Sequence, residues 1–164
     1  MTLKKLGLIV LTFVIVTGFI LSLNAGDSKD GKPAIKFYSY EEGIKKASKD
    51  SIHVAVFFET TWCGYCKKMH KTTLTDERII SMLNEDFVAV HVDGDRQKNL
   101  VREYGVRGYP STWFLKPDAS KIAPAPGYWP TEDFYWLLRY IKDSAYEKEQ
   151  FKAYVDRKKK EEQG

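Results

Sequence analysis

Hydrophobic and polar positions follow two rhythms along this chain, broken by short runs of Gly, Pro, Asp and Ser. Tyr40, Ile44 and Ala47 recur at helical spacing behind Ser39-Tyr40-Glu41-Glu42, which has the form of a capping box, and predict a helix over about 40–49. Ile52 to Phe58 is an apolar, β-branched and aromatic run of strand length, suited to a strand covered on both faces. From Cys63 to about Thr73 the only Gly is Gly64 and there is no Pro, so a helix starts at the cysteines; a second short one is predicted from Asp76 to Asn84, capped by Thr75. Phe87 to Val92 reads as the next strand, Asp93-Gly94-Asp95 as a turn, and residues 96–104 as a helix. Gly105 and Gly108 flank a loop that ends at Pro110. Ser111 to Leu115 and Lys121 to Ala125 are two strands joined across Lys116-Pro117-Asp118. Thr131, Glu132 and Asp133 then open a helix whose Phe134, Leu137, Leu138 and Ile141 form one apolar stripe. Helix, strand, helix, strand, helix, strand, strand, helix is the order of an α/β domain with a central mixed sheet flanked by helices.

The two ends break the pattern. Residues 1–25 begin with Lys4 and Lys5, continue as an uncharged stretch from Leu6 to Leu23, and end at Ala25: an export signal. Its apolar part is long for a cleaved signal and nearly spans a hydrocarbon core, so a signal peptide and an uncleaved membrane anchor both stand as readings. Either places the body outside the cytoplasm, in the periplasm or an equivalent space, secreted or held at the inner membrane, because the lysines stay inside. Residues 26–33 are a polar spacer, 34–144 the domain, and 145–164 a helical extension with a charged tail. In that extension Tyr146, Phe151, Tyr154 and Val155 suit packing against the domain, with a partner site as the alternative.

Composition narrows the function classes. At 164 residues with 43% hydrophobic and 14% aromatic content, the chain has material for one globular core. The net charge of +4 includes Lys4 and Lys5, and the densest basic run, Arg157 to Lys160, is followed by Glu161 and Glu162, so nucleic acid is not an expected partner. The run reads as a solvated helix end rather than a membrane contact.

Only two cysteines are present, Cys63 and Cys66, and an exported context permits them to cycle through a disulfide. Cys63 lies between a buried strand and a helix start, where unpaired N–H groups and the helix dipole stabilise a thiolate, and Lys67 or Lys68 adds positive charge. Cys63 is therefore the expected nucleophile. Cys66 lies about one turn on, placed to resolve a mixed disulfide. A structural zinc site would need four ligands, and His53, His70 and His91 are scattered with no second cysteine pair. Haem attachment would need a His where Lys67 stands. A purely structural disulfide would close a very small loop and constrain little unfolded-chain entropy.

Trp62-Cys63-Gly64-Tyr65-Cys66-Lys67 after an apolar strand, with Gly105-Val106-Arg107-Gly108-Tyr109-Pro110-Ser111-Thr112 about 40 residues later, resembles the thioredoxin family over roughly residues 35–143. The resemblance implies a thioredoxin fold, no cofactor beyond the disulfide, a cis peptide bond before Pro110, and a substrate groove in which Tyr109 pairs its backbone with the client; Trp62 reads as a wall of that groove, with a core position as the alternative. That family places a buried Asp six residues before its first cysteine as proton acceptor for the second, and Phe57 stands there in this chain. Glu59 is then the nearest carboxylate and a candidate proton relay, although strand alternation leaves open whether it faces the cysteines or solvent. His70, four residues after Cys66, is a further candidate. Gly64-Tyr65 looks like the inner pair of periplasmic disulfide isomerases, whereas the larger pattern is similar to exported thioredoxin-like proteins of sulfur-oxidation and cytochrome-maturation systems. The resemblance implies a reductant of disulfides in exported client proteins, fed by a membrane electron donor. An oxidase or isomerase is the alternative within the enzyme class, and a membrane-tethered binding module without turnover is the alternative outside it.

Overall fold

The computed structural model describes residues 34–164; the signal or anchor expected over 1–25 and the spacer over 26–33 lie outside the described residues. Five strands, β1 (Phe37–Tyr38), β2 (His53–Glu59), β3 (Phe87–Asp93), β4 (Ser111–Leu115) and β5 (Lys121–Pro126), form one sheet in the order β1-β3-β2-β4-β5. β3 runs parallel to β1 and β2, and β4 runs antiparallel to both β2 and β5. The helices are α1 (Tyr40–Asp50), α2 (Gly64–Lys71), α3 (Glu77–Glu85), α4 (Lys98–Glu103), α5 (Thr131–Lys142) and α6 (Phe151–Gln163). The mixed sheet flanked by helices is the thioredoxin fold.

β2 is almost wholly apolar because it lies in the middle of the sheet with both faces covered. Strand alternation divides its side chains: Ala55 and Phe57 enter a core with Met69, Leu83, Phe134 and Leu138, while Val54, Val56 and Phe58 enter a second core with Ala47, Val88, Val90 and Tyr104. Each of the Val, Leu, Met and Phe side chains among them, fully buried, contributes roughly 1.5–3 kcal/mol. On the second face α1 approaches β3 closely at Gly43, where a Cβ would overlap the fully buried Val90 side chain. β5 carries Pro124 and Pro126, tolerated because it is an edge strand.

Several local expectations are corrected. β1 has no counterpart in the sequence reading, since two residues are too few to display a period of two; it exists by pairing Phe37 with Ala89 and Tyr38 with Val90. The cap of α3 is Asp76, whose carboxylate accepts from the Arg78 N–H at 3.0 Å, whereas the Thr75 hydroxyl donates to the Thr72 carbonyl at 2.9 Å and closes a separate 3-10 turn. Ser39 does precede α1, but its hydroxyl donates to the Glu42 carboxylate at 2.6 Å instead of accepting a helix N–H. The helix expected over 96–104 is shorter, because the Gln97 side chain folds back to accept from the Asp93 N–H.

The C-terminal extension packs on α5. Tyr154 is fully buried with Trp136 and Ala145, and its hydroxyl donates to Asp143 at 2.6 Å. Arg157 pairs with Glu149 and Glu161, and Lys158 with Glu161, so half of the basic run at this end is matched by carboxylates of the same extension. Among the described residues no helix is long and apolar enough to cross a membrane.

Candidate active site

The end of β2 delivers the cysteines. After Glu59 the chain turns through Thr60-Thr61-Trp62, and Cys63 becomes the N-cap of α2. Its extended backbone leaves the first-turn N–H groups pointing at its side chain, and Sγ accepts from the Cys66 N–H at 3.0 Å. The two sulfurs are joined in a disulfide with the Cα atoms 5.3 Å apart, and both residues are buried. There is no acidic residue in the first turn of α2, which leaves the positive end of its dipole uncompensated there. Of the two neighbouring lysines, Lys67 lines a cleft beside Cys66, while Lys68 turns away and places its ammonium 4.4 Å from the centre of the Tyr128 ring.

An aromatic rim surrounds this turn. Trp62 is 67% exposed and Tyr65 is 63% exposed, which excludes a core position for either. The Trp62 indole N–H donates to the Asp95 carboxylate at 3.1 Å, and its ring meets Tyr109 edge-on at 5.9 Å between centroids. The Tyr109–Pro110 peptide bond is cis, and the Pro110 carbonyl accepts from the Gly127 N–H at 2.8 Å. Tyr109 can lie here because Gly94, in the turn after β3, presents no Cβ to its ring. Next to Pro110 a mostly apolar cleft of about 360 Å³ is lined by Tyr104, Val106, Tyr109, Trp113 and Pro124.

Glu59 faces inward. Phe57 and Glu59 share a face of β2, and the register sets His91 opposite Phe57 and Asp93 opposite Glu59. Phe57 fills the core, so no carboxylate occupies its position, while Glu59 is only 5% exposed. Its Oε2 lies 2.8 Å from His70 Nε2, on α2, and 3.3 Å from His91 Nε2. Oε1 is buried without a hydrogen-bond partner among the described residues, as is the Thr60 hydroxyl. Glu59, Cys66, Lys67, His70, His91 and Asp93 line one cleft of about 200 Å³. Burial pushes the Glu59 carboxyl up, but the hydrogen bonds and charge of His70 and His91 outweigh it and hold the group below its ordinary value. The same bond raises His70 against the opposing effect of its own partial burial.

The structure thus brings Glu59 and His70 together at the cleft that Cys66 lines, and sets Trp62 against Tyr109, the residue before Pro110. Sequence reasoning missed His91, Asp95 and Tyr128. Alternation along β3 places His91 on the face of Phe87 and Ala89, but only the β2–β3 register shows that this face holds Glu59. His53 is remote from the site, 3.2 Å from the Tyr146 hydroxyl. Among the described residues no group of three or more His, Cys, Asp and Glu side chains is arranged to hold a metal ion.

Comparison with known proteins fits this geometry. Residues 40–142 match the family described as the thioredoxin-like domain. A protein disulfide-isomerase of Hordeum vulgare is 28% identical over 91 residues, covering 50% of this chain and 17% of that protein. The protein disulfide-isomerase of Oryctolagus cuniculus is 33% identical over 92 residues, 56% of this chain and 17% of that one. The chain therefore spans less than a fifth of the length of these two relatives. The solution structure of a thioredoxin from Thermus thermophilus matches with a TM-score of 0.61 at 29% identity, over 66% of this chain and 87% of that chain.

Proposed function

Because this chain belongs to the thioredoxin-like family and carries in Cys63 and Cys66 the dithiol of a thiol:disulfide oxidoreductase, we propose that it reduces disulfides of exported proteins outside the cytoplasm. The observation that carries the reading is the Cys63–Cys66 disulfide closed across the first turn of α2, directly after Trp62, whose ring meets Tyr109. In the reduced protein the helix N-terminus and the Cys66 N–H stabilise the Cys63 thiolate. That thiolate attacks a client disulfide lying against Trp62, Tyr109 and Pro110; one client sulfur leaves as a thiolate and the other stays bonded to Cys63. Cys66 gives its proton to Glu59 and attacks Cys63 Sγ, which releases the second client thiol and re-forms the disulfide. Two electrons pass from the cysteine pair to the client, and the sulfurs supply the redox chemistry without a bound cofactor.

The extracytoplasmic setting rests on the amino-terminal sequence, with Lys4 and Lys5 ahead of the uncharged stretch from Leu6 to Leu23. In that setting a membrane electron donor returns the disulfide to the dithiol. The test is capture: Cys66→Ser should trap exported clients as mixed disulfides, and Cys63→Ser should trap none. Equal capture by both variants, or none by either, refutes the reading. Direction is read from the reduction potential of the pair: a value near about −270 mV supports a reductant, and one near about −120 mV would make the protein an oxidant instead.

A further inference from the structure

Glu59 is a buried carboxylate with an asymmetric environment. Both imidazoles address the same oxygen, His70 Nε2 at 2.8 Å and His91 Nε2 at 3.3 Å from Oε2, while Oε1 has no partner among the described residues. A carboxylate only accepts hydrogen bonds, so each imidazole that bonds to it presents an Nε2–H. The two rings come from different elements, α2 and β3, and Phe37 of β1 packs against both, tilted on His70 and edge-on to His91. The clamp is therefore built from three elements at the cleft that Cys66 also lines. Its outer edges reach water, since the His70 and His91 side chains are 43% and 44% exposed. The other charged groups at this cleft are Lys67 from α2 and Asp93 from β3.

We propose that His70 and His91 are positioning residues that decide when Glu59 accepts the proton of Cys66, so that resolution of the mixed disulfide is gated by a two-histidine clamp. The inference rests on the proposed role of Cys66 as resolving thiol. With neutral imidazoles, the His70 hydrogen bond and the longer His91 contact hold the carboxylate in place and its free oxygen takes the Cys66 proton. Once His70 is protonated, its charge stabilises the carboxylate and weakens it as a base. The proton taken from Cys66 leaves to solvent at the exposed side of the clamp, and the sulfur that loses it forms the new bond to Cys63.

The step can be isolated with the aryl disulfide dithiobis-nitrobenzoate and the reduced full-length protein. Attack by the Cys63 thiolate breaks the reagent's S–S bond, forms a Cys63–aryl mixed disulfide and releases one coloured arylthiolate. Attack by the Cys66 thiolate on Cys63 Sγ forms the internal disulfide and releases the second. Near neutral pH, Glu59→Gln should leave the first release unchanged and slow the second by about a hundredfold, the low end of what a positioned general base contributes. In the unmodified protein the second release should slow further as pH falls through a value above 6.5, the ordinary histidine value, because His70 is raised by Glu59. His70→Gln keeps a hydrogen-bond donor but cannot titrate, so this inflection should disappear while the first release stays unaltered. His91→Gln should move the same inflection without changing the first release, and it is available should Glu59→Gln fold poorly. A second release that is unchanged in Glu59→Gln, or a pH profile that is the same in His70→Gln and His91→Gln as in the parent, overturns the inference while the Cys63 and Cys66 roles stand. Loss of the first release in the unmodified protein would instead overturn the oxidoreductase reading on which the inference rests.

Discussion

Replacing Gly94 by alanine should separate the shape of the substrate groove from the stability of the fold. A Cβ at that position would lie 2.7 Å from Tyr109 Cε1 and closer still to the ring's hydroxyl end. Carbon atoms in contact prefer roughly 3.5–4.0 Å, so the ring must retreat by about 1 Å. It has room to do so, because Tyr109 is only half-buried and the clash falls on the free end of its side chain. Gly94 itself is buried, but the atoms it meets belong to a side chain that can swing outward, so the stability cost should stay below about 1 kcal/mol, the low end of overpacking. Gly43→Ala is the internal control: there the new methyl meets the fully buried Val90, and overpacking should cost about 1–3 kcal/mol. Function should reverse the order. Tyr109 touches Trp62, and misplacement of about 1 Å beside reacting groups costs up to about 100-fold, so reduction of a peptide disulfide by Gly94→Ala should fall about 10- to 100-fold in kcat/KM. Gly43→Ala, if folded, should keep the parent rate. Urea unfolding and steady-state reduction of the same peptide give both numbers. A Gly94→Ala protein that is as destabilised as Gly43→Ala, or that reduces the peptide at the parent rate, would refute the claim that this glycine serves the groove.

Tyr154→Phe should cost about 1.5 kcal/mol through loss of the hydroxyl bond to Asp143, and Tyr154→Ala about 3–5 kcal/mol; losses near zero in urea unfolding would mean that α6 is not docked on α5. The Glu59–His70 pair makes stability depend on pH with a defined sign. Glu59 is depressed below 4.5 in the folded protein, so its contribution is present above that value and lost as pH falls through the lowered one. His70 is raised above 6.5, so its contribution is complete below 6.5 and lost as pH rises through the raised value. The pair should therefore stabilise most between 4.5 and 6.5, and His70→Gln should remove the decline on the alkaline side of that window. Identical urea midpoints against pH for His70→Gln and the parent would show that the pair contributes nothing.

Much of this molecule is determined by local sequence. The run around Val54 to Phe58 is apolar at every position because a central strand is buried on both faces, and Phe134, Leu137, Leu138 and Ile141 repeat at helical spacing because one side of α5 meets the core. The dithiol is local as well: three positions separate Cys63 from Cys66, and a helix begun at the first brings the second back beside it. What the chain could not announce depends on partners far away along it. Asp76 and Thr75 are both competent caps, and the choice between them follows from the Thr75 hydroxyl already closing a turn with Thr72. Phe37 and Tyr38 become a strand only because β3 offers them an edge. Glu59 could have faced water; the parallel register of β2 on β3 and the placement of α2 over that face turned it onto His70 and His91 instead. Period and spacing are short-range properties that a sequence carries in plain sight, whereas the environment of a single side chain is set by register and layer packing, which exist only after residues 11 and 32 positions beyond Glu59 have been folded back against it.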